Sequence, residues 1–210
     1  MSEIALILGS GSRVGESTAR KFLEAGFKVA TVSRTPRASQ SEKHVHLTAD
    51  LTNPASVDPV FNQLQQQWGV PTVVIYNAYG GFVTDPNPLA APLEEFAKTL
   101  NANTLSAYAA ASIAYARNKG VTFIYTGNAL NTVLDPKLTT LGVGKAASCK
   151  WIQEAAAAQQ LRPATFYYCD QRTPEGLPCY TGLSGEAHAD LYLDLARREE
   201  QGDPVIIFRA

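Results

Sequence analysis

Residues 4–15 read Ile4-Ala5-Leu6-Ile7-Leu8-Gly9-Ser10-Gly11-Ser12-Arg13-Val14-Gly15. Five apolar residues of strand length run into a glycine-rich loop. The loop opens onto a segment patterned as a helix, residues 14–25, which Gly26 closes. That order builds a phosphate-binding turn. Gly9, Gly11 and Gly15 let the chain turn tightly and approach a pyrophosphate, and the helix start offers that anion free N–H groups and partial positive charge. Ser10 and Ser12 add hydroxyl donors, although serine is also an ordinary turn former. A glycine-rich loop alone is weak evidence; its place inside a strand–helix–strand unit gives it weight.

The same alternation continues outward. Residues 28–32 form a second strand, a polar proline-bearing loop spans 34–43, and Val45-His46-Leu47 is a short third strand. Asn53-Pro54 starts a helix, with asparagine as cap and proline in the first turn, and Gly69 and Pro71 end it after Trp68. Residues 72–76 are a continuous apolar run, as a central parallel strand requires. A loop holding Gly80, Gly81, Pro86 and Pro88 leads to one long helix over 93–118, then a strand over 121–125 and an alanine-rich helix over 137–160. A strand at 164–168, a loop from Asp170 to Ser184, a helix near 185–201 and a last strand at 205–208 complete the chain. Repeated strand-then-helix order requires right-handed crossovers. The expected fold is α/β: a Rossmann-type, doubly wound, mostly parallel sheet with helices on both faces, as one domain over residues 1–210.

The bulk numbers set limits. The 210 residues are 45% hydrophobic and 18% charged, with a formal net charge of -1, so nothing draws the chain toward nucleic acid or anionic membrane. No apolar run reaches the roughly 18 residues that span a bilayer. Glu3 opens the first apolar stretch without a basic leader, so a core strand is expected there and no secretion signal. Cys149, Cys169 and Cys179 lack metal-ligand spacing, and a reduced, cytoplasmic setting is the simplest expectation. His44 and His46 share one strand face but have no third ligand nearby, so no metal site is expected. His188 is expected at a surface or interface, and the pair Tyr167-Tyr168 in the core.

At the end of the second strand a carboxylate usually holds an NAD ribose. Here Ser33-Arg34 stand there, with Arg37 close behind and Arg13 in the phosphate loop. A guanidinium suits a 2′-phosphate, so NADP(H) is expected over NAD(H). Solvated loop charge is the plainer reading, and it fits Arg37 better than Arg34.

With these positions placed, nearly the whole chain resembles the short-chain dehydrogenase/reductase family. The loop is similar to that family's Thr-Gly-x-x-x-Gly-x-Gly, with Leu8 at the threonine, Arg13 at the middle glycine and Val14-Gly15 closing it. The resemblance implies that Asp50, followed by Leu51, faces the adenine ring, and that Asn77-Ala78-Tyr79-Gly80 lies beside the adenine ribose, with Tyr79 replacing a glycine. It makes Asn103 the active-site asparagine, with Asn101 the alternative if the register slips, and Lys145 the active-site lysine that holds the nicotinamide ribose.

The departures from the family pattern are as informative. Leu141 occupies the position of the general-acid tyrosine, Asn128 that of the serine, and Asp170-Gln171 that of a Pro-Gly. The following loop and helix are short, which implies a reduced substrate lid. Asn128 then becomes the donor to a substrate oxygen, and a water, Tyr79 or Tyr125 the proton source; losing a general acid costs a reductase about 10²–10⁴-fold. The leading expectation is an NADP(H)-dependent oxidoreductase acting on a carbonyl or activated double bond of a small molecule. The alternatives are a non-catalytic NADP(H)-binding sensor or scaffold, and a non-redox isomerase or cyclase. The alanine-rich helices at 102–116 and 146–158 match those through which the family pairs, so a homodimer or homotetramer is expected.

Overall fold

In the computed structural model, described over residues 3–38, 41–80 and 82–210, seven strands form one sheet. Gly81, assigned from sequence to the loop after the fourth strand, lies outside the described residues, as do two residues of the 34–43 loop. The strands are β1 (Ile4–Leu8), β2 (Lys28–Ser33), β3 (His44–Thr48), β4 (Val73–Tyr76), β5 (Thr122–Thr126), β6 (Thr165–Arg172) and β7 (Val205–Arg209). All pair in parallel, in the order β3-β2-β1-β4-β5-β6-β7. The order reverses between β1 and β4, which opens a crevice at the carboxyl ends of those strands.

Alternation along each strand divides the core into two layers. Leu6, Leu8, Val74, Tyr76, Phe123 and Tyr125 face one side. They are covered by α2 (Val57–Gln67), α4 (Ser106–Arg117) and α5 (Thr139–Ala157). Ala5, Ile7, Val73, Ile75, Ile124 and Tyr167 face the other, under α1 (Val14–Glu24) and α6 (Gly185–Ala196). β2 and β3 are joined by a loop, as the sequence predicts, so α1 flanks a groove in which Thr31, His44 and His46 line the sheet face.

Several element boundaries differ from expectation; helix α5, expected over 137–160, spans Thr139–Ala157, and α2 starts at Val57, after a 3-10 turn at Pro54–Ser56. The long helix over 93–118 is split into α3 (Leu93–Leu100), a π-helical turn (Asn101–Leu105) and α4. Its carbonyls are drawn sideways: Tyr76 Oη donates to Ala102 O at 2.5 Å, and Tyr125 Oη and Ser148 Oγ both donate to Asn103 O at 2.7 Å. Hydroxyls inserted into a helical ladder widen it in this way. Strand β6 continues to Arg172, because Asp170, Gln171 and Arg172 pair with Ile207, Phe208 and Arg209 of β7. Helix α6 ends at Ala196, short of the expected residue 201.

Candidate active site

The glycine loop is built by close approach. Gly9 has a φ of +99°, and a Cβ there would lie 2.4 Å from Ala78 N, so only glycine fits between β1 and the chain leaving β4. Its amide and that of Ser10 both donate to Val32 O, at 3.0 and 2.9 Å. Asn77 locks the far side, its Nδ2 donating to Gly9 O and its backbone N to Leu8 O, each at 2.7 Å. A Cβ on Gly15 would sit 2.7 Å from Ser10 Cα, so α1 is pressed against the loop. Gly11 differs: its Cβ position is open, with nothing within 4 Å among the described residues.

Three features of this loop fit the phosphates of a dinucleotide. Space opens at Gly11, and α1 begins after Arg13 without a side-chain cap. Ser10 Oγ is buried and has no hydrogen-bond partner among the described residues. Glu16 N of the first turn donates to Gly11 O at 3.0 Å, while the start of α1 has no side-chain cap; with the orphan hydroxyl this end suits an anion.

Two cavities flank the loop. The first, of about 280 Å³, is lined by Gly9, Ser10, Gly11, Ser33, Arg34, Asp50, Leu51, Asn77, Ala78 and Tyr79, ten of the residues singled out from sequence. Asp50 Oδ1 accepts from Thr52 N at 3.0 Å and Thr52 Oγ1 at 2.9 Å. Ser33 Oγ donates to Thr35 O at 2.9 Å and lies 3.0 Å from His46 Nε2. Arg37 also reaches this cavity, while Gly15 lines the neighbouring groove beside α1.

The second cavity, of about 360 Å³, gathers Ser12, Arg13 and Val14 from the loop with Asn128, Leu141 and Lys145. It shares Gly11, Asn77 and Tyr79 with the first, so the two form one trough. Lys145 is only 3% exposed; its Nζ donates to Thr126 O at 2.9 Å and stands 4.5 Å above the Tyr125 ring. Burial pulls this amine down to about 7, and the anionic pull of Asp170 opposes the fall. Asn128 Oδ1 caps a short turn by accepting from Leu130 N at 3.1 Å, which leaves its Nδ2 as the donating end. Its backbone is pinned by Tyr168, whose Oη accepts from Asn128 N at 3.1 Å and donates to Asn128 O at 2.8 Å. Leu141 lines the same cavity.

Other sequence expectations are redrawn. Asn103 is fully buried in the π turn and is not among the residues lining either cavity. Its Nδ2 donates to Thr99 O at 2.9 Å and Gly80 O at 3.1 Å, holding the loop after β4 to the helix. Tyr125 is buried and does not face the trough: it stacks between Tyr76 and Tyr168, its hydroxyl is spent on Asn103 O, and burial pushes its pKa up. Tyr79, the other tyrosine considered, is 67% exposed at the rim. His188 is buried, not superficial; its Nδ1 donates to Ser184 O at 2.7 Å and its ring meets Tyr192 and Phe208 edge-on. Ala107, Ala110, Ala111 and Ala114 of α4 face this chain's own core.

Gln171, Cys179 and Tyr180 close the second cavity; the sequence marks Asp170-Gln171 as a departure from the family pattern but gives none of these residues a role in the site. Beside them β6 buries an acid. Asp170 is 1% exposed, its Oδ2 accepts from Arg172 Nε at 2.7 Å, and its Oδ1 has no partner among the described residues. A carboxylate directly after the apolar run Thr165–Cys169 was the available signal.

A family profile for "Enoyl-(Acyl carrier protein) reductase" matches residues 9–163. The short chain dehydrogenase/reductase dmxR12 of Cryptosporiopsis sp. (strain 8999) is 36% identical over 219 residues, covering 96% of this chain and 89% of that protein. Among solved structures, ElxO with NADP bound superposes with a TM-score of 0.84 at 16% identity, covering 100% of this chain and 98% of that one. The NADH-dependent reductase A1-R' responsible for alginate metabolism gives a TM-score of 0.84 at 14% identity, covering 99% and 96%. At such identities the solved structures speak for the fold. The sequence matches carry more: the chain belongs to the short-chain dehydrogenase/reductase family.

Proposed function

We propose that the protein is an NADP(H)-dependent oxidoreductase that reduces a carbonyl or activated double bond of a small molecule. One observation carries the reading: the two cavities join through Gly11, Asn77 and Tyr79 into a trough that runs from Arg34 to Lys145. Arg34 and Arg37 line its outer end, where a guanidinium favours a doubly anionic 2′-phosphate over a bare ribose hydroxyl. The relatives include an NADP-bound and an NADH-dependent protein, so the preference rests on these arginines.

A reduced nicotinamide, when bound, supplies a hydride; the protein's part is to hold and polarise the substrate. Asn128 Nδ2 donates to the substrate oxygen as negative charge develops there, held by its Oδ1 cap and by Tyr168. Lys145 Nζ uses one of its three donors on Thr126 O, which leaves one for a ribose hydroxyl and one free toward the substrate. Asn103 acts at one remove, by fixing the segment after Asn77.

Calorimetric titration with NADPH and NADH, followed by NADPH oxidation across a carbonyl panel, tests this. Binding with turnover is expected, and absence of affinity for either nucleotide overturns it. NADPH binding without turnover on any substrate favours the second reading, a nucleotide sensor, for which Leu141 in the tyrosine position is the specific motive. We also propose a homodimer through α4 and α5, which expose Leu105, Tyr108 and Val143 beside them; a monomeric mass in solution excludes it.

A further inference from the structure

The second cavity needs a proton source, and its lining narrows the choice. Amide nitrogens of Asn128 and Gln171 have no dissociable proton, and a guanidinium such as that of Arg13 does not give its proton up. Cys179 Sγ is committed to Thr181 O at 3.1 Å. Tyr79 stands out at the rim, and Tyr180 is 46% exposed, with burial and the charges of Asp135 and Asp170 pushing its phenol up. The hydroxyls of Ser12 and Thr126 are too weakly acidic to give a proton up, so Lys145 remains, the one amine in the wall among the described residues, fixed by Thr126 O and by the Tyr125 ring.

The β5–β6 register places an acid behind it. Thr126 pairs with Cys169, so Asp170 is the next residue along β6 from the carbonyl that Lys145 holds. Arg172 takes Asp170 Oδ2, and the buried Oδ1 stays unpartnered among the described residues. Asp170 and Lys145 act on each other electrostatically without forming a direct ion pair. Around Lys145 stand the Tyr125 ring, itself stacked on Tyr168, and Cys179 with Tyr180 in the wall of the same cavity, while Cys149 follows one turn later on its own helix and Arg172 is paired with Asp170.

We propose that Lys145 Nζ delivers the proton to the substrate oxygen, with Asp170 as the buried positioning residue that keeps this amine protonated. The proposal rests on the reductase reading above. In carbonyl reduction the carbon receives a hydride from the reduced nicotinamide while the oxygen receives a proton from the Lys145 ammonium. The lysine is left as a neutral amine, and solvent water returns its proton.

The pH dependence follows from burial. Lys145 titrates near 7, so the reductive rate falls as pH rises through that value. Without the Asp170 anion the amine loses its proton more easily, and the fall moves to lower pH.

The test is a ¹⁵N-lysine NMR titration of the full-length, nucleotide-free protein, with Lys145 assigned by its loss in Lys145→Gln, beside the pH profile of kcat at saturating NADPH. An amine inflection near pH 7 is expected, displaced downward in Asp170→Asn and restored in Asp170→Glu, with kcat tracking each displacement. Lys145→Gln is expected to lower kcat by about 10²-fold or more. A Lys145 amine that stays charged to pH 10 overturns the proposal, as does a kcat within threefold of wild type in Lys145→Gln. An inflection unmoved in Asp170→Asn removes the role of Asp170. Should Asp170→Asn fail to fold, the wild-type titration and Lys145→Gln still decide the proton donor. Failure of NADPH binding strikes the reductase reading instead and leaves the amine titration standing.

Discussion

The two ends of the trough are held by different means. At the phosphate loop the constraint is backbone against backbone: Gly9 and Gly15 exist because neighbouring main chain leaves no room for a Cβ. At the far end it is largely side chains that hold the site, with Lys145 on α5, Tyr168 and Asp170 on β6 and Asn128 in the turn after β5 set by hydrogen bonds and burial. The first kind of constraint tolerates almost no change. The second can be refilled by other side chains of similar volume while the cavity persists.

The contrast breaks most visibly at Gly9. Gly9→Ala forces a Cβ against Ala78 N at positive φ and is expected to cost about 3 kcal/mol of stability by chemical denaturation. Gly11→Ala, with open space at its Cβ, is expected to stay within about 0.5 kcal/mol of wild type while weakening NADPH binding. Equal losses for both would show that the loop is constrained uniformly. At the other end, Asn128→Asp keeps the oxygen that caps Leu130 but removes the donating amide. Its kcat is expected to fall about 10²-fold with the denaturation midpoint unchanged. Arg34→Ala is expected to raise the Kd for NADPH about tenfold and leave that for NADH alone, by titration. The smallest effect concerns acid. His44, His46 and His188 are all held below the ordinary 6.5, chiefly by burial. As pH falls through 6.5 the unfolded chain takes up these protons before the folded one does, so stability present above that pH declines below it. Replacing His188, the most buried of the three, by Gln is expected to flatten the lower part of that decline.

What the sequence discloses follows the same division. The order of strands and helices, the glycine loop and the trough's first half are legible because they depend on periodicity and on residues near one another in the chain. The π turn at Asn101–Leu105 is not, since its cause lies in Tyr76, Tyr125 and Ser148 on other elements. Tyr125 was misplaced because alternation tells which residues share a face but not which face meets the trough. His188 was misplaced because helix α6 buries it against Phe208 of β7, a partner twenty residues away in the chain. Asp170 carries a signal, a carboxylate directly after an apolar strand run, but its neighbourhood depends on the β5–β6 register, which sets it next to the Thr126 carbonyl that Lys145 of α5 holds.

Tyr76, Tyr125 and Tyr168 lie ring upon ring across three adjacent strands, with interplanar angles of 3° and 13°. Three phenols in such an array couple their electronic transitions, so near-ultraviolet circular dichroism carries a component that reports how β4, β5 and β6 lie against one another, without a dye or a bound molecule.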